Sequence, residues 1–178
     1  LWLGLDNGIS RVETASPLTQ FTLQSGINTG VLNINRFEGN LYIGTTNGLL
    51  LYNTKTSFFD PVPGIPQNQI FALLPDGKQL LIPGDGLFAV RDKKTSTIKE
   101  SVSADLTLSG LYKSTTHPNI MYGGGTFGVA VFTRPAGNTS NKEPPSWQFA
   151  GYVPGITDQI WTFAENNDGT IWAGTQAG

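Results

Sequence analysis

The sequence contains no cysteine and a single histidine, His117. Without cysteine, neither a disulfide framework nor a zinc site with thiolate ligands can form. The histidine stands in a His-Pro-Asn sequence typical of a turn, and no second histidine is present to complete a metal pair. Zinc chemistry and Cys/His or Ser/His catalysis therefore have no support in the residue inventory. We expect no metal site and no cofactor.

Charged residues are few, and long apolar runs are absent. Only 13% of the residues are charged and the formal net charge is −2, which gives no basic footprint for nucleic acid. No apolar run approaches the roughly 20 residues that a bilayer-spanning helix needs. The sequence also shows no signal peptide. We expect no nucleic-acid partner and no membrane contact by this segment.

Glycine, by contrast, is abundant, with 22 residues, and its spacing defines an internal repeat. The stretch Leu41-Tyr-Ile-Gly-Thr-Thr-Asn-Gly-Leu49 recurs in varied form along the whole chain. Its first glycine falls at Gly4, Gly44, Gly84, Gly124 and Gly174, and its second at Gly8, Gly48, Gly86, Gly128 and Gly178. The period of about 40 residues is in the range of four-stranded propeller blades.

The residues around each glycine pair favour a tight β-hairpin. Glycine adopts positive φ without steric cost, which hairpin tips require, and the residues between the glycines are mostly polar turn formers. Apolar runs flank the turns, as in Leu41-Tyr-Ile43 and Leu49-Leu-Leu-Tyr52. Such unbroken runs indicate strands covered on both faces, as in blades that lie between neighbouring blades.

The repeat predicts an all-β fold: a β-propeller of four-stranded antiparallel blades, with about four blades present as a fragment of a larger ring. The predicted repeat units span residues 1–28, 29–66, 67–105, 106–156 and 157–178. We infer a fragment because the chain begins and ends in the same motif. Its two outer blade faces would be uncovered and would seek partners. We therefore expect contact with the remaining propeller blades of a parent chain, and a homodimer.

The position of each segment in the repeat predicts individual strands. Thr107–Thr116 could be drawn as a short helix, but its place in the repeat favours an inner strand. Further strands are predicted at Leu18–Leu23, Gln69–Leu74 and Ile98–Val102. Large aromatic residues recur on the second strands, and we expect them to form core between blades; they are Trp2, Tyr42, Tyr122 and Trp172.

The residue pattern of the repeat resembles that of a known family. Residues 155–161 (Gly-Ile-Thr-Asp-Gln-Ile-Trp) and 166–175 (Asn-Asn-Asp-Gly-Thr-Ile-Trp-Ala-Gly-Thr) are similar to the two-component regulator propeller repeat, as are residues 1–9 and 41–49. The resemblance covers nearly the whole chain. Pro83-Gly84 departs from the Gly-Thr of the pattern, and the fourth unit, with His117-Pro-Asn-Ile-Met-Tyr-Gly-Gly124, is closer to the Asp-box-like repeats of sialidase and xyloglucan-hydrolase propellers.

The resemblance implies a ligand-sensing propeller, non-catalytic in itself, in the extracytoplasmic part of a membrane-anchored two-component sensor histidine kinase. It implies a periplasmic location, a kinase in the parent chain, and carbohydrate sensing through a small-molecule or oligosaccharide ligand. These implications are associations with a fold. Two alternatives stay open. One is a fragment of a secreted glycan-active enzyme of the xyloglucanase or sialidase kind, and the other is a scaffold whose rim binds protein.

Candidate binding residues follow from propeller geometry. The crossings between blades and the hairpins between second and third strands emerge on one face, around the mouth of the channel. The crossings carry Asn28, Asn68 and Asp158, the hairpins carry Asn47, Asp85 and Thr126, and an inner strand carries Trp161 at the position equivalent to Phe71. The amides and carboxylates either hold Asx turns or surround a ligand, with a sugar stacked on Trp161.

No catalytic residue is predicted. Two carboxylates about 5 to 10 Å apart could support glycoside hydrolysis, but the acidic residues do not cluster in the sequence. Asp76 and Asp168 occupy equivalent Asp-Gly turns, and Asp6 and Asp85 lie in hairpins. Structural use in turns accounts for most of them.

Overall fold

The computed structural model describes residues 2–5, 8–11, 19–84, 86–91, 94–97, 106–135 and 146–177. Five antiparallel sheets follow one another along the chain, and we number them in that order. The second, third and fourth sheets have four strands each, lying side by side in chain order, and the first and fifth have two. This arrangement confirms the predicted propeller of four-stranded antiparallel blades.

The strands have the following bounds. The first sheet comprises β1 (Trp2–Leu5) and β2 (Gly8–Arg11). The second comprises β3 (Val31–Phe37), β4 (Asn40–Thr45), β5 (Gly48–Asn53) and β6 (Phe58–Pro61). The third comprises β7 (Leu74–Asp76), β8 (Gln79–Gly84), β9 (Gly86–Arg91) and β10 (Lys94–Thr97). The fourth comprises β11 (Leu108–Lys113), β12 (Ile120–Gly125), β13 (Gly128–Thr133) and β14 (Gln148–Tyr152). The fifth comprises β15 (Ile160–Glu165) and β16 (Ile171–Thr175). Within the described ranges, no helix has the length and apolar character that crossing a membrane requires.

Consecutive residues of the apolar runs face different neighbouring sheets. On β8, Leu80 and Ile82 belong to a core cluster shared with the second sheet, whereas Leu81 belongs to one shared with the fourth. On β4, Tyr42 and Ile43 likewise enter clusters on opposite faces. The prediction of strands covered on both faces is therefore confirmed, and burial between sheets supplies the main stabilising contact.

In the second and fourth sheets, the first glycine of the repeat allows the next segment of the chain to approach closely. A Cβ atom at Gly124 would lie 2.8 Å from Ile160 Cγ2 and 2.9 Å from the Ile160 carbonyl oxygen. A Cβ at Gly44 would collide with the carbonyl of Ile70 in the same way. The second glycine serves the hairpin: Gly48 has φ of +98°, which favours glycine. The repeat thus uses its two glycines for different physical reasons.

A buried ionic network ties the third sheet to the fourth. Asp76, at the end of β7, is only 2% exposed. Its carboxylate accepts hydrogen bonds from Lys113 Nζ at 2.6 Å and Arg134 Nη1 at 2.8 Å. Trp147 Nε1 donates a third bond at 2.9 Å. Burial favours the neutral acid, but these hydrogen bonds and the two cations prevail, so the pKa of Asp76 lies below its ordinary value.

A second carboxylate fastens the fifth sheet to the fourth. Glu165 Oε1, at the end of β15, accepts hydrogen bonds from the hydroxyls of Thr116 at 2.6 Å and Ser114 at 2.7 Å. Oε2 accepts bonds from the backbone N–H and the hydroxyl of Thr115, at 2.6 and 2.7 Å. The bond from Thr116 first, and then the others, hold the pKa of Glu165 well below its usual range. We call this arrangement of residues 114–116 around Glu165 the Glu165 socket.

Of two predicted inner strands, the structure contains one and lacks the other. The inner strand predicted within Thr107–Thr116 is confirmed as β11. The strand predicted at Gln69–Leu74 is wrong, because β7 begins only at Leu74. Pro83, on the adjacent β8, has no backbone N–H and cannot donate a hydrogen bond to the segment before Leu74. The Ile70 N–H donates instead to the Thr45 carbonyl of the second sheet, at 2.9 Å.

The outer-strand predictions also differ from the structure. Within the predicted strand Leu18–Leu23, the described residues from Thr19 to Thr22 are not in a strand. Leu23–Ser25 is a 3₁₀ helix, since the Thr22 hydroxyl accepts the Gln24 N–H and Gly26 ends the turn at φ of +87°. The outer strand of the third sheet is β10, and the predicted segment Ile98–Val102 lies outside the described residues.

The recurring second-strand aromatics do not all form core. Tyr42 is 1% exposed, as predicted. Tyr122 is half-buried and its ring lies 6.2 Å from that of Phe163 in the next sheet. Trp172 is 62% exposed, contrary to the prediction, because no described sheet covers its face of β16. The side chain of Trp2 lies outside what the structure describes.

Candidate functional site

Hairpins and crossings meet at one end of the strands, which forms one face of the propeller, as propeller geometry predicts. The N–H of Gly48, in the β4–β5 hairpin, donates to the carbonyl of Asn68 in the next crossing at 2.8 Å. The N–H of Gly86 in the third sheet donates to the carbonyl of Leu106 at 2.9 Å in the same way. Each hairpin therefore supports the crossing that follows it, and this holds the polar residues of the face in place.

A cleft of about 500 Å³ opens on this face. We call it the crossing cleft, and its size is typical of small-molecule sites. The second, third, fourth and fifth sheets all contribute. Its lining consists of Thr46, Gln67, Asn68, Gln69, Phe71, Gly84, Thr107, Leu108, Ser109, Thr126, Gln159 and Trp161.

The lining of the crossing cleft has one chemical character. Its polar groups are amides and hydroxyls, and none of the described lining residues carries a charge. Amides can donate and accept hydrogen bonds at once, as can hydroxyls. A surface of this kind suits a neutral ligand that presents many hydroxyl groups, and it offers no carboxylate pair for general acid–base hydrolysis.

The two aromatic residues of the cleft contact each other. The rings of Phe71 and Trp161 lie edge to face, with centroids 5.7 Å apart and planes at 73°. Trp161 remains 42% exposed in spite of this contact. An exposed indole beside neutral hydrogen-bonding groups can stack on an apolar ring face of a ligand while the amides bind its hydroxyls.

The structure brings together some of the predicted binding residues and separates others. Asn68, Thr126 and Trp161 all line the crossing cleft. Asn28 and Asn47 line a different cavity of about 580 Å³ beside the second sheet. Asp158 is exposed and lines neither cavity. Asp85 lies outside the described residues.

Sequence reasoning did not select Gln69, Gln159 or Ser109, all of which line the cleft. A signal for the two glutamines was present. Gln69-Ile-Phe71 and Gln159-Ile-Trp161 share a Gln-Ile-aromatic pattern at equivalent repeat positions, so both amides precede an aromatic residue of an inner segment. In the fourth sheet, Ser109 stands after Leu108, at the position that Phe71 and Trp161 occupy in their units. No pattern in the sequence marked it.

Two other features carry no site. A cavity of about 720 Å³ lies at the opposite end of the second sheet, beside the turn containing Gly39 and Asn40, and it contains none of the predicted residues. Among the residues that the structure describes, no group of three His, Asp or Glu side chains could hold a metal ion. His117 lies in a turn, where its carbonyl accepts the Ile120 N–H at 2.8 Å, and Asp168 Oδ1 accepts the Thr170 N–H at 2.9 Å.

Comparison with known proteins gives likeness in fold. No protein-family model matches the chain, and no curated protein matches its sequence. The extracellular domain of BT4673 from B. thetaiotaomicron, described as a one component system, matches with a TM-score of 0.63 and 19% identity, covering 98% of this chain and 24% of that one. The extracellular domain of BT3049 from the same organism, described as a hybrid two component system, matches with a TM-score of 0.55 and 21% identity, covering 82% of this chain and 19% of that one. The chain thus spans about a quarter or less of each structure, and it shares with them the β-propeller fold of its blades.

Proposed function

We propose that the chain is part of the extracytoplasmic sensor propeller of a two-component signalling protein, and that its crossing cleft binds a neutral oligosaccharide. The observation that carries the proposal is the lining of the cleft, where four successive sheets contribute amides, hydroxyls and an exposed indole, and where none of the described lining residues carries a charge. The residue pattern of the repeat and the likeness in fold to two extracellular sensor domains support the proposed place in an extracytoplasmic sensor. The three complete repeat units would then each be one blade and the two end units parts of blades, and the parent chain would be a histidine kinase of the two-component regulator propeller family.

The proposed module acts by binding and not by catalysis. Because the cleft is built from four sheets, a ligand that contacts Gln69 and Gln159 bridges blades that are not adjacent. Such a ligand favours the arrangement of blades that holds both amides in reach, and it shifts the population by its difference in affinity between arrangements. The shift in blade arrangement would change how the propeller contacts its partner, either a second copy in a dimer or the rest of the parent chain.

Calorimetric titration with matched sets of neutral and acidic oligosaccharides tests the proposal. We expect binding within the neutral set, and none of comparable strength within the acidic set. Gln159→Ala should weaken binding about fivefold, the effect of one lost hydrogen bond. Asn47→Ala, an exposed amide in the other cavity, is the matched control and should leave the affinity unchanged.

Four results would contradict the proposal. Equal binding of acidic oligosaccharides would show that the neutral lining does not select the ligand. An unchanged affinity in Gln159→Ala would place the ligand elsewhere. Hydrolysis of an oligosaccharide by the chain would favour the glycan-active enzyme, whereas protein capture without saccharide binding would favour the scaffold.

A further inference from the structure

We infer that Phe71 and Ser109 are positioning residues that hold the exposed Trp161 indole as a preformed stacking platform, which selects saccharide units with an apolar ring face. The inference rests on the proposed function, since it names how the same cleft discriminates between ligands. It assigns a role to two residues from two other sheets, neither of which needs to touch the ligand to exert it.

The backbone of Trp161 is fixed by the fourth sheet. The Ser109 hydroxyl is buried and lies 2.9 Å from the carbonyl oxygen of Ile160, to which it donates. The next residue, Gly110, lets the strands approach, because a Cβ atom there would lie 3.1 Å from the carbonyl oxygen of Trp161. The carbonyls of Ile160 and Trp161, which flank the Trp161 Cα, therefore both lie against β11, at Ser109 and Gly110.

The ring of Trp161 is fixed by the segment that leads into the third sheet. Phe71 meets it edge to face at 5.7 Å, a geometry that aromatic pairs prefer. Backbone and side chain are thus restrained by different sheets, yet 42% of the residue stays exposed. An exposed ring that is already ordered loses little side-chain entropy when a ligand stacks on it, and this raises affinity without a new contact.

The small size of Ser109 makes the contact between the two rings possible. Phe71, Ser109 and Trp161 each follow the first apolar residue of an inner segment, which is Ile70, Leu108 or Ile160. In the fourth and fifth sheets this position is a β-bulge in the inner strand. All three residues line the crossing cleft, so a ring at residue 109 would compete with the rings of Phe71 and Trp161 for space that serine leaves to them.

Fluorine NMR of the chain labelled with 5-fluorotryptophan tests the positioning without any ligand. Trp161→Phe assigns the Trp161 signal, and the buried Trp147 signal reports whether each variant is folded. Phe71→Leu should move the Trp161 signal toward that of a solvent-exposed, mobile indole. Phe71→Tyr should leave it in place, and Ser109→Ala, which removes only the hydroxyl, should shift it in a folded chain. A Trp161 signal that is the same in Phe71→Leu and Ser109→Ala as in the wild type would overturn the inference.

Titration of the same variants with the neutral oligosaccharide set tests the consequence. Phe71→Leu should weaken binding about tenfold, the upper effect of losing one aromatic pair, and Phe71→Tyr, which keeps an aromatic ring beside Trp161, should recover most of that loss. Undiminished binding in Phe71→Leu despite a displaced Trp161 signal would overturn the role in selectivity. If the wild-type chain binds no member of the set while Phe71→Leu displaces the signal, the proposed function fails and the positioning of Trp161 stands.

Discussion

Replacing Asp76 by asparagine tests the network that joins the third and fourth sheets. The substitution keeps the shape of the side chain but removes its charge and turns one acceptor oxygen into a donor. That new donor would face groups that also donate: Lys113 Nζ at 2.6 Å, Arg134 Nη1 at 2.8 Å and Trp147 Nε1 at 2.9 Å in the wild type. The variant therefore loses hydrogen bonds and leaves two cations without their common counter-ion.

The expected loss of stability follows from the burial of these groups. Removing one partner of a buried ion pair costs about 3–5 kcal/mol. The side chain of Lys113 is 29% exposed and can turn toward water, which reduces the loss, but that of Arg134 is 12% exposed and lies 4.3 Å from the Trp147 ring centroid. We expect the free energy of unfolding to fall by about 3 kcal/mol, at the lower end of that range.

Urea unfolding at neutral pH measures this loss. With an m-value of about 2 kcal/mol/M, the midpoint of Asp76→Asn should fall by roughly 1.5 M. Asp60→Asn is the matched control, because Asp60 is exposed and accepts one bond from Asn53, at 3.1 Å. Its stability should change by no more than about 0.5 kcal/mol. A loss below about 1 kcal/mol in Asp76→Asn would refute the reasoning that the network stabilises the junction.

The pH dependence of the same variant has a definite sign. Since the pKa of Asp76 in the folded chain lies below its ordinary value of 3.8, the unfolded chain binds the proton first as the pH falls. The stabilisation is fully present above about pH 4 and is lost as the pH falls through the folded pKa. The difference in stability between wild type and Asp76→Asn should therefore narrow below about pH 4, and a constant difference down to pH 2 would contradict the assignment.

Four further variants test other junctions and the exposed face. Glu165→Gln should lower the melting temperature at pH 7, and the gap to the wild type should narrow as the pH falls below the ordinary pKa of 4.5, because the pKa of Glu165 is depressed in the fold; differential scanning fluorimetry between pH 7 and 3 measures both. Gly124→Ala should cost about 1–3 kcal/mol in urea unfolding because its methyl group would overlap Ile160. Gly84→Ala, at the equivalent position, would place its methyl group 3.9 Å from Phe88 Cε2, an ordinary contact, and should change stability little; equal effects of the two would contradict the close-approach argument. Trp172→Ser should shift the chain from dimer toward monomer in sedimentation velocity, and a wild-type chain that is already monomeric at micromolar concentration would refute the expected self-association through this face.

The local part of the fold could be predicted from the sequence because its causes are local. A hairpin depends on glycine at positive φ and on the apolar residues next to it, and these recur about every 40 residues. The errors in strand placement occurred where one or two residues altered the pattern. Pro83 removes a backbone donor beside the segment predicted as strand at Gln69–Leu74, and Thr22 with Gly26 makes a helical turn where a strand was predicted.

The sequence by itself determined the blades, the face on which the crossings and hairpins meet, and the placement of Asn68, Thr126 and Trp161 on it. Only the tertiary structure decided which of these share a cleft and which residues support them. Asp76 and Trp147 are 71 positions apart, and Ser109 and Ile160 are 51 apart, yet each pair is hydrogen-bonded. Such partners are chosen by how whole sheets stack, and stacking depends on the sum of many buried contacts that no local pattern encodes.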